Sequence, residues 1–245
     1  MDVRWNNGPK YHNRLFDDCT HEASVYGESS TTYFITEAAL GRISRSLSSP
    51  KIIVVLREPV SRAVSHYRWL YALGLENKSM LDAIKDAGHE FDANRPNEGC
   101  YTGYLEFSSY TKWVPKWQRE FGSDNVLLLN SDELKNNTVD VLEKCAGFLG
   151  VKSIDWNVPE QKNRTQDVAM RAENGLSKFA KRVLPKNLKA SLSTHAPALV
   201  QKWNDMFVSH VKRPAPKVTD PELTKIRELL SDEHAFYCSL FGKAS

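Results

Sequence analysis

The chain has 245 residues, enough for one well-buried core, with an ordinary balance of 41% hydrophobic and 26% charged residues. No run of eighteen or more apolar residues occurs, so no membrane segment is expected, and the opening MDVRWNNGPKYHN lacks the apolar centre of a signal peptide. The formal net charge is +3, but residues 161–217 carry twelve Lys/Arg against three Asp/Glu, net +9, which leaves −6 on the remainder. That basic segment suits an anionic ligand, and equally a lysine-rich solvated helix face.

Residues 1–27 read as irregular, with a turn at Gly8-Pro9. After GESSTTYFI, the segment EAALGRISRSL repeats apolar residues at helical spacing (Ala38, Ala39, Ile43, Leu47), with Thr36 as the expected cap. KIIVVL is a continuous apolar run of strand length, which predicts a strand covered on both faces, as in a parallel sheet. Pro59 suits the first turn of a following helix, whose stripe is Val60, Ala63, Val64, Tyr67, Leu70 and Tyr71, with Gly74 as its stop. SMLDAIKDA predicts a short helix, and Pro96 to Gly103 a loop. SYTKWVPKWQREF predicts a helix around Trp113, Trp117 and Phe121, kinked or started by Pro115.

NVLLL predicts a second buried strand. One helix is then expected across SDELKNNTVDVLEKCAGFLG, with Val139, Leu142, Cys145, Ala146 and Leu149 on one face. Beyond Pro159 the pattern holds no further strand. Basic, proline-punctuated helical pieces end in PELTKIRELLSDEHAFYCSLFG, whose inward face is Leu223, Ile226, Leu230 and Phe236. Strands alternating with helices make this an α/β protein with a central parallel sheet. One domain is expected: an α/β core over residues 1–160 and a basic helical extension over 161–245.

Four cysteines (Cys19, Cys100, Cys145, Cys238) form no C-x-x-C pair, so no metal site is expected. They read as core thiols, with one or two disulfides as the alternative in a secretory setting. Sequons at Asn77, Asn136 and Asn163 do not decide the compartment.

The candidate site lies where the first strand ends. Ligands of open parallel sheets bind at the carboxyl ends of strands, and Arg57 stands at that end of KIIVVL. A helix beginning at Pro59 would present free backbone N–H groups and its positive dipole end to an anion. Ser61 and Ser65, four apart, share a helix flank, so Arg57 and Ser65 could offer a guanidinium and a hydroxyl to one phosphate. Arg62 is either a second charge or a solvent-exposed residue. The same residues also fit an Arg paired with a neighbouring acid and a Ser filling a helix surface.

R-x-P-x-x-R-x-x-S-x-Y after a buried strand, spanning Arg57–Tyr67, resembles the 3′-phosphate-binding motif of the sulfotransferases. GESSTTYF is similar to that family's GE-x-(S/T)-P-x-Y segment, with Thr32 in place of Pro and Ser29 in place of a frequent Lys. SYTKWVPKWQREFGSDNVLLLNSDEL resembles its S-x-Y segment, tryptophan-containing helix and following strand. Phe148-Leu149-Gly150 matches an FLG marker, and EHAFYCSLFGK its C-terminal helix. The likeness is to the carbohydrate sulfotransferases, bacterial and Golgi members included. It implies a P-loop-NTPase-like three-layer fold. It also implies sulfuryl transfer from 3′-phosphoadenosine 5′-phosphosulfate (PAPS) to an acceptor hydroxyl, usually on a sugar and here anionic if the basic segment faces it. Arg57 and Ser65 match the residues that hold the donor's 3′-phosphate. Asp2 stands where the family's catalytic Glu would be, whereas Glu28 is not at that position.

The family's K-x-G-T-x-x-L turn, whose Lys stabilises the leaving phosphate, has no counterpart here, since Gly242-Lys243 follows no glycine-rich loop. An incomplete chain is therefore expected, and the alternative is a catalytically inactive nucleotide- or glycan-binding module. Nucleic acid is not an expected partner, because few aromatics (Phe179, Trp203, Phe207) interleave the basic residues, and a P-loop kinase is not expected, because no G-x-x-x-x-G-K-(S/T) occurs. The compartment is expected to be the cytoplasm for a bacterial chain and the Golgi lumen for a eukaryotic one.

Overall fold

A computed structural model describes Asp17 and residues 24–86, 103–158, 170–173, 208–211 and 216–242. Asp2, Cys19, Cys100, the Gly8-Pro9 turn, most of the 96–103 loop and most of the basic segment lie outside these residues. In chain order the elements are α1 (Glu37–Ser46), β1 (Ile52–Leu56), α2 (Pro59–Ala72), α3 (Met80–Asp86), α4 (Tyr110–Phe121) and β2 (Val126–Asn130). After them come α5 (Ser131–Asn136), α6 (Thr138–Leu149), β3 (Met170–Glu173), β4 (Val208–Val211), α7 (Asp220–Leu229) and α8 (Ser231–Phe241). The chain divides into two packed units. One holds Met1–His66, Lys78–Glu160 and Val218–Ser245; the other holds Tyr67–Asn77 and Gln161–Lys217.

In the first unit β1 and β2 pair in parallel, Ile52 opposite Val126 through Leu56 opposite Asn130. This register puts Val54, Leu56, Val126 and Leu128 on one face, where they meet Tyr110 and Val114 of α4 and Tyr237 and Cys238 of α8. On the opposite face Leu129 is buried, and α6 packs against β2 through its buried Val141 and Ala146. The expectation of two covered faces holds for β2 and fails for β1, where Ile53 and Val55 are 38% and 47% exposed. A continuous apolar run does not distinguish a strand buried on both sides from one buried on alternate residues. The α/β class, the parallel pairing and the helices at the C-terminal end are as expected.

α4 is the post around which the N-terminal segment wraps. Trp117 donates its indole N–H to the Phe34 carbonyl at 2.8 Å and stacks on the Phe34 ring. Trp113 donates to Glu106 at 3.1 Å. Ile35, Leu40, Trp113 and Trp117 form a second buried cluster. Pro115 sits inside α4, and the carbonyl that loses a donor belongs to exposed Thr111, where water replaces it. Thr36 does occupy the cap position of α1, but its hydroxyl donates backward to the Thr32 carbonyl at 2.6 Å and makes no cap bond.

Two long predicted helices are each divided. Asn137 (φ −130°, ψ 51°) separates α5 from α6, and Leu230 (φ −112°, ψ 18°) separates α7 from α8. Val139 is exposed, while Ile226, Leu230, Tyr237 and Cys238 are buried. In the second unit Gly74 takes φ +72°, the expected stop of α2. There β3 and β4 pair antiparallel, Met170 opposite Val211, within the stretch read as free of strands. A pair of four-residue strands leaves too short an alternation to register in sequence.

Candidate functional site

Residues 57–67 take the strand–turn–helix form that the motif requires, and the turn is fixed from three sides. Tyr110 of α4 donates its phenolic O–H to the backbone carbonyl of Arg57 at 2.8 Å. Arg62 turns back from α2, and its Nε donates to Ser108 Oγ at 2.5 Å while its Nη2 donates to the Tyr104 carbonyl. Ser108, fully buried, passes its own proton to the Pro59 carbonyl at 3.2 Å. The Arg62 guanidinium also lies 5.5 Å from the centre of the Phe107 ring. Burial pushes Arg62 down to about 10, with Tyr110 opposing and Arg57 adding to that fall. Arg62 is therefore neither a solvent-exposed residue nor a spare charge; it is an enclosed cation that bolts α2 to the segment before α4.

The third restraint corrects the expectation of free helix amides. Pro59 brings no N–H, the Val60 and Ser61 N–H groups donate to the Glu58 carboxylate at 3.0 and 2.7 Å, and the Arg62 N–H donates to the Glu58 carbonyl at 2.8 Å. Glu58 is thus the anion at the mouth of α2. Partial burial raises its pKa, but the hydrogen bonds from Ser61, Val60 and His234 outweigh burial and leave it below the ordinary carboxylate value.

Arg57 itself is exposed, and its guanidinium has no hydrogen-bond or ion-pair partner among the described residues. Ser65 is half-buried in the second turn of α2, also without a partner among them. Both belong to one strand–helix corner. Asp2 lies outside the described residues. Glu28 accepts from Tyr33 at 2.6 Å, within the GESSTTYF segment.

Sequence reading missed Tyr110, Ser108, Glu58 and His234. Tyr110 was visible as the Tyr of an S-x-Y pattern with no role attached. The others carried no signal, because a Glu before a Pro and a His on a terminal helix are ordinary surface residues until packing places them. Next to Leu56, buried Asn130 accepts from the Asp132 N–H at 2.8 Å and so caps α5, while its amide nitrogen has no partner among the described residues. Among the described residues no cluster could hold a metal ion, no helix is long and apolar enough to cross a membrane, and neither Cys145 nor Cys238 is in a disulfide.

The family model described as "Sulfotransferase domain" matches residues 23–214. The mouse heparan sulfate glucosamine 3-O-sulfotransferase 3A1 is 28% identical over 137 residues, covering 55% of this chain and 33% of that protein. The mouse heparan sulfate glucosamine 3-O-sulfotransferase 5 is 30% identical over 125 residues, 51% of this chain and 35% of that protein. The bifunctional heparan sulfate N-deacetylase/N-sulfotransferase 1 of Xenopus tropicalis is 27% identical over 159 residues, 61% and 18%. The chain thus spans about a third or less of the length of these relatives. The crystal structure of a sulfotransferase from Alicyclobacillus acidocaldarius shares the fold, with a TM-score of 0.54 at 23% identity over 81% of this chain and 70% of that one. With a matched family model over most of its length and the R-x-P-x-x-R-x-x-S-x-Y corner formed, the chain belongs to the sulfotransferase family.

Proposed function

We propose that this protein, as one sulfotransferase-like domain, moves a sulfuryl group from PAPS to a hydroxyl of a carbohydrate. The observation that carries the reading is the contrast at the β1–α2 corner. Glu58 and Arg62 are engaged by the protein's own groups, whereas the Arg57 guanidinium beside them is exposed with no partner among the described residues. Its planar fork suits a phosphate, and the Ser65 hydroxyl adds a donor. These two side chains fit the donor's 3′-phosphate; the α2 amides do not join them, because Glu58 holds them.

When bound, the donor would supply the sulfuryl group, whose bond to the 5′-phosphate oxygen breaks as the acceptor oxygen takes it, so that adenosine 3′,5′-bisphosphate leaves. Asp2 is the proposed base for the acceptor's proton. The basic 161–217 segment is proposed to face an anionic acceptor, and relatives named for heparan sulfate support a sulfated or uronic acid-bearing glycan.

Calorimetry with adenosine 3′,5′-bisphosphate tests the site. Arg57→Ala removes two charge-assisted hydrogen bonds at about 1.5–3 kcal/mol each, so affinity should fall at least ~100-fold with the urea midpoint unmoved. Unchanged affinity would end the assignment. Transfer of labelled sulfate to a heparan-type polysaccharide then separates the enzyme from a module that binds nucleotide without turnover.

A further inference from the structure

Two consecutive residues of α8 reach the corner that carries Arg57. Glu233 accepts from the N–H and hydroxyl of Thr111 at 2.8 and 2.6 Å, in the first turn of α4. His234 places Nδ1 3.1 Å from Glu58 Oε1, and its Nε2 lies 3.5 Å from Cys238 Sγ. Glu58 is ionised and can only accept, so Nδ1 carries a proton and donates it. In the neutral ring Nε2 is then left to accept from the Cys238 thiol. A second proton on Nε2 makes the ring a cation against the Glu58 carboxylate.

Glu58 adjoins Arg57 and occupies the two α2 amides nearest an incoming anion. Its negative charge opposes that anion, and a charged His234 offsets it. We propose that His234 is a positioning residue of the anion site, acting through Glu58. It holds the internal cap of α2 in place, and on taking up a proton it neutralises the carboxylate beside Arg57. Affinity for a nucleotide 3′-phosphate then rises with protonation of His234. This inference rests on the reading of Arg57 as an anion ligand.

The other groups around the imidazole are accounted for. Tyr110 from α4 and Tyr237 from α8 are pushed up to about 12, chiefly by burial, and stay neutral. Arg62 from the β1–α2 corner stays cationic, lowered only to about 10, and Arg57 is the charge beside it. Glu233 is engaged by Thr111, and exposed Asp232 and the Cys238 thiol complete the set on α8.

The test is the affinity of the full chain and its variants for adenosine 3′,5′-bisphosphate at pH 5.5 and pH 8. The ligand's own phosphates titrate near pH 6, so each variant is read as a ratio to wild type at the same pH. Glu58→Gln keeps one amide oxygen at the cap, where Val60 and Ser61 now use one carboxylate oxygen each, and removes the charge. It should bind about 3- to 10-fold more tightly than wild type at both pH values, because one negative charge is gone whatever the state of His234. His234→Gln should match wild type at pH 8 and bind about 3- to 10-fold more weakly at pH 5.5, whereas His234→Lys should bind more tightly than wild type at pH 8. His234→Gln and His234→Lys ratios that do not change with pH overturn the role of His234. If Arg57→Ala binds as well as wild type, the site reading itself has failed; if it loses binding while those ratios stay flat, the His234 inference alone has failed.

Discussion

Replacing Arg62 with Met separates a bolt from a ligand. Burial lowers Arg62 from the ordinary guanidinium range to about 10, a penalty on the cation of about 3 kcal/mol that Met relieves. Against that relief stand two charge-assisted hydrogen bonds, to Ser108 Oγ and the Tyr104 carbonyl, worth about 1.5–3 kcal/mol each. Tyr104 is fully buried, so the loss of this charged donor to its carbonyl adds ~1–3 kcal/mol. Ser108 fares better, because it still donates to the Pro59 carbonyl. The losses exceed the relief, and Arg62→Met should destabilise the fold by about 2–4 kcal/mol. Urea unfolding followed by tryptophan fluorescence reads this directly, since Trp113 and Trp117 sit in the core. Ser108→Ala should be strongly non-additive with Arg62→Met, with a coupling of about 1–3 kcal/mol, because both remove the same bond. The reasoning is refuted if Arg62→Met unfolds at the wild-type urea midpoint but no longer binds adenosine 3′,5′-bisphosphate, since Arg62 would then face the ligand.

Tyr110→Phe removes the bond to the Arg57 carbonyl, so it should cost about 1 kcal/mol of stability near neutral pH and weaken nucleotide binding several-fold by calorimetry. In the wild type, the raised Tyr110 pKa means the folded state keeps a proton that the unfolded chain gives up. Its contribution is complete below pH 10 and is lost as pH climbs through about 12, so urea midpoints should fall across that window and fall less in Tyr110→Phe. Gly122, which ends α4 at φ +84° and ψ 142°, has room for a side chain, with Asn125 Nδ2 3.8 Å from a Cβ, but not the backbone freedom; Gly122→Ala should cost about 1–3 kcal/mol in urea unfolding.

The legible part of this protein is where local sequence is sufficient cause. The α2 stripe could be read at helical spacing because its residues share one buried face, and Val60, Ala63, Val64, Tyr67 and Leu70 are all buried. Arg57 could be placed at the exposed end of β1 because a charged residue closing an apolar strand resists burial. What stayed hidden depends on what meets across long separations in the chain. Arg62 looks like a surface residue of an amphipathic helix until Ser108, 46 residues on, supplies its acceptor. Glu58 looks like strand-end punctuation until the two amides behind Pro59 turn toward it and His234, 176 residues on, closes the other side. The breaks at Asn137 and Leu230 were equally unmarked, since neither Gly nor Pro stands there and apolar periodicity runs past both. The same asymmetry decides how the site should be thought of. The motif contains the two side chains proposed for the ligand, Arg57 and Ser65, but residues outside it (Tyr110, Ser108 and His234) brace the strand–helix corner that carries them. Variants at Tyr110 and Ser108, and at His234 in acid, should therefore alter nucleotide affinity without touching the nucleotide. Transplanting the eleven-residue motif alone onto another parallel strand and helix should not carry the affinity with it.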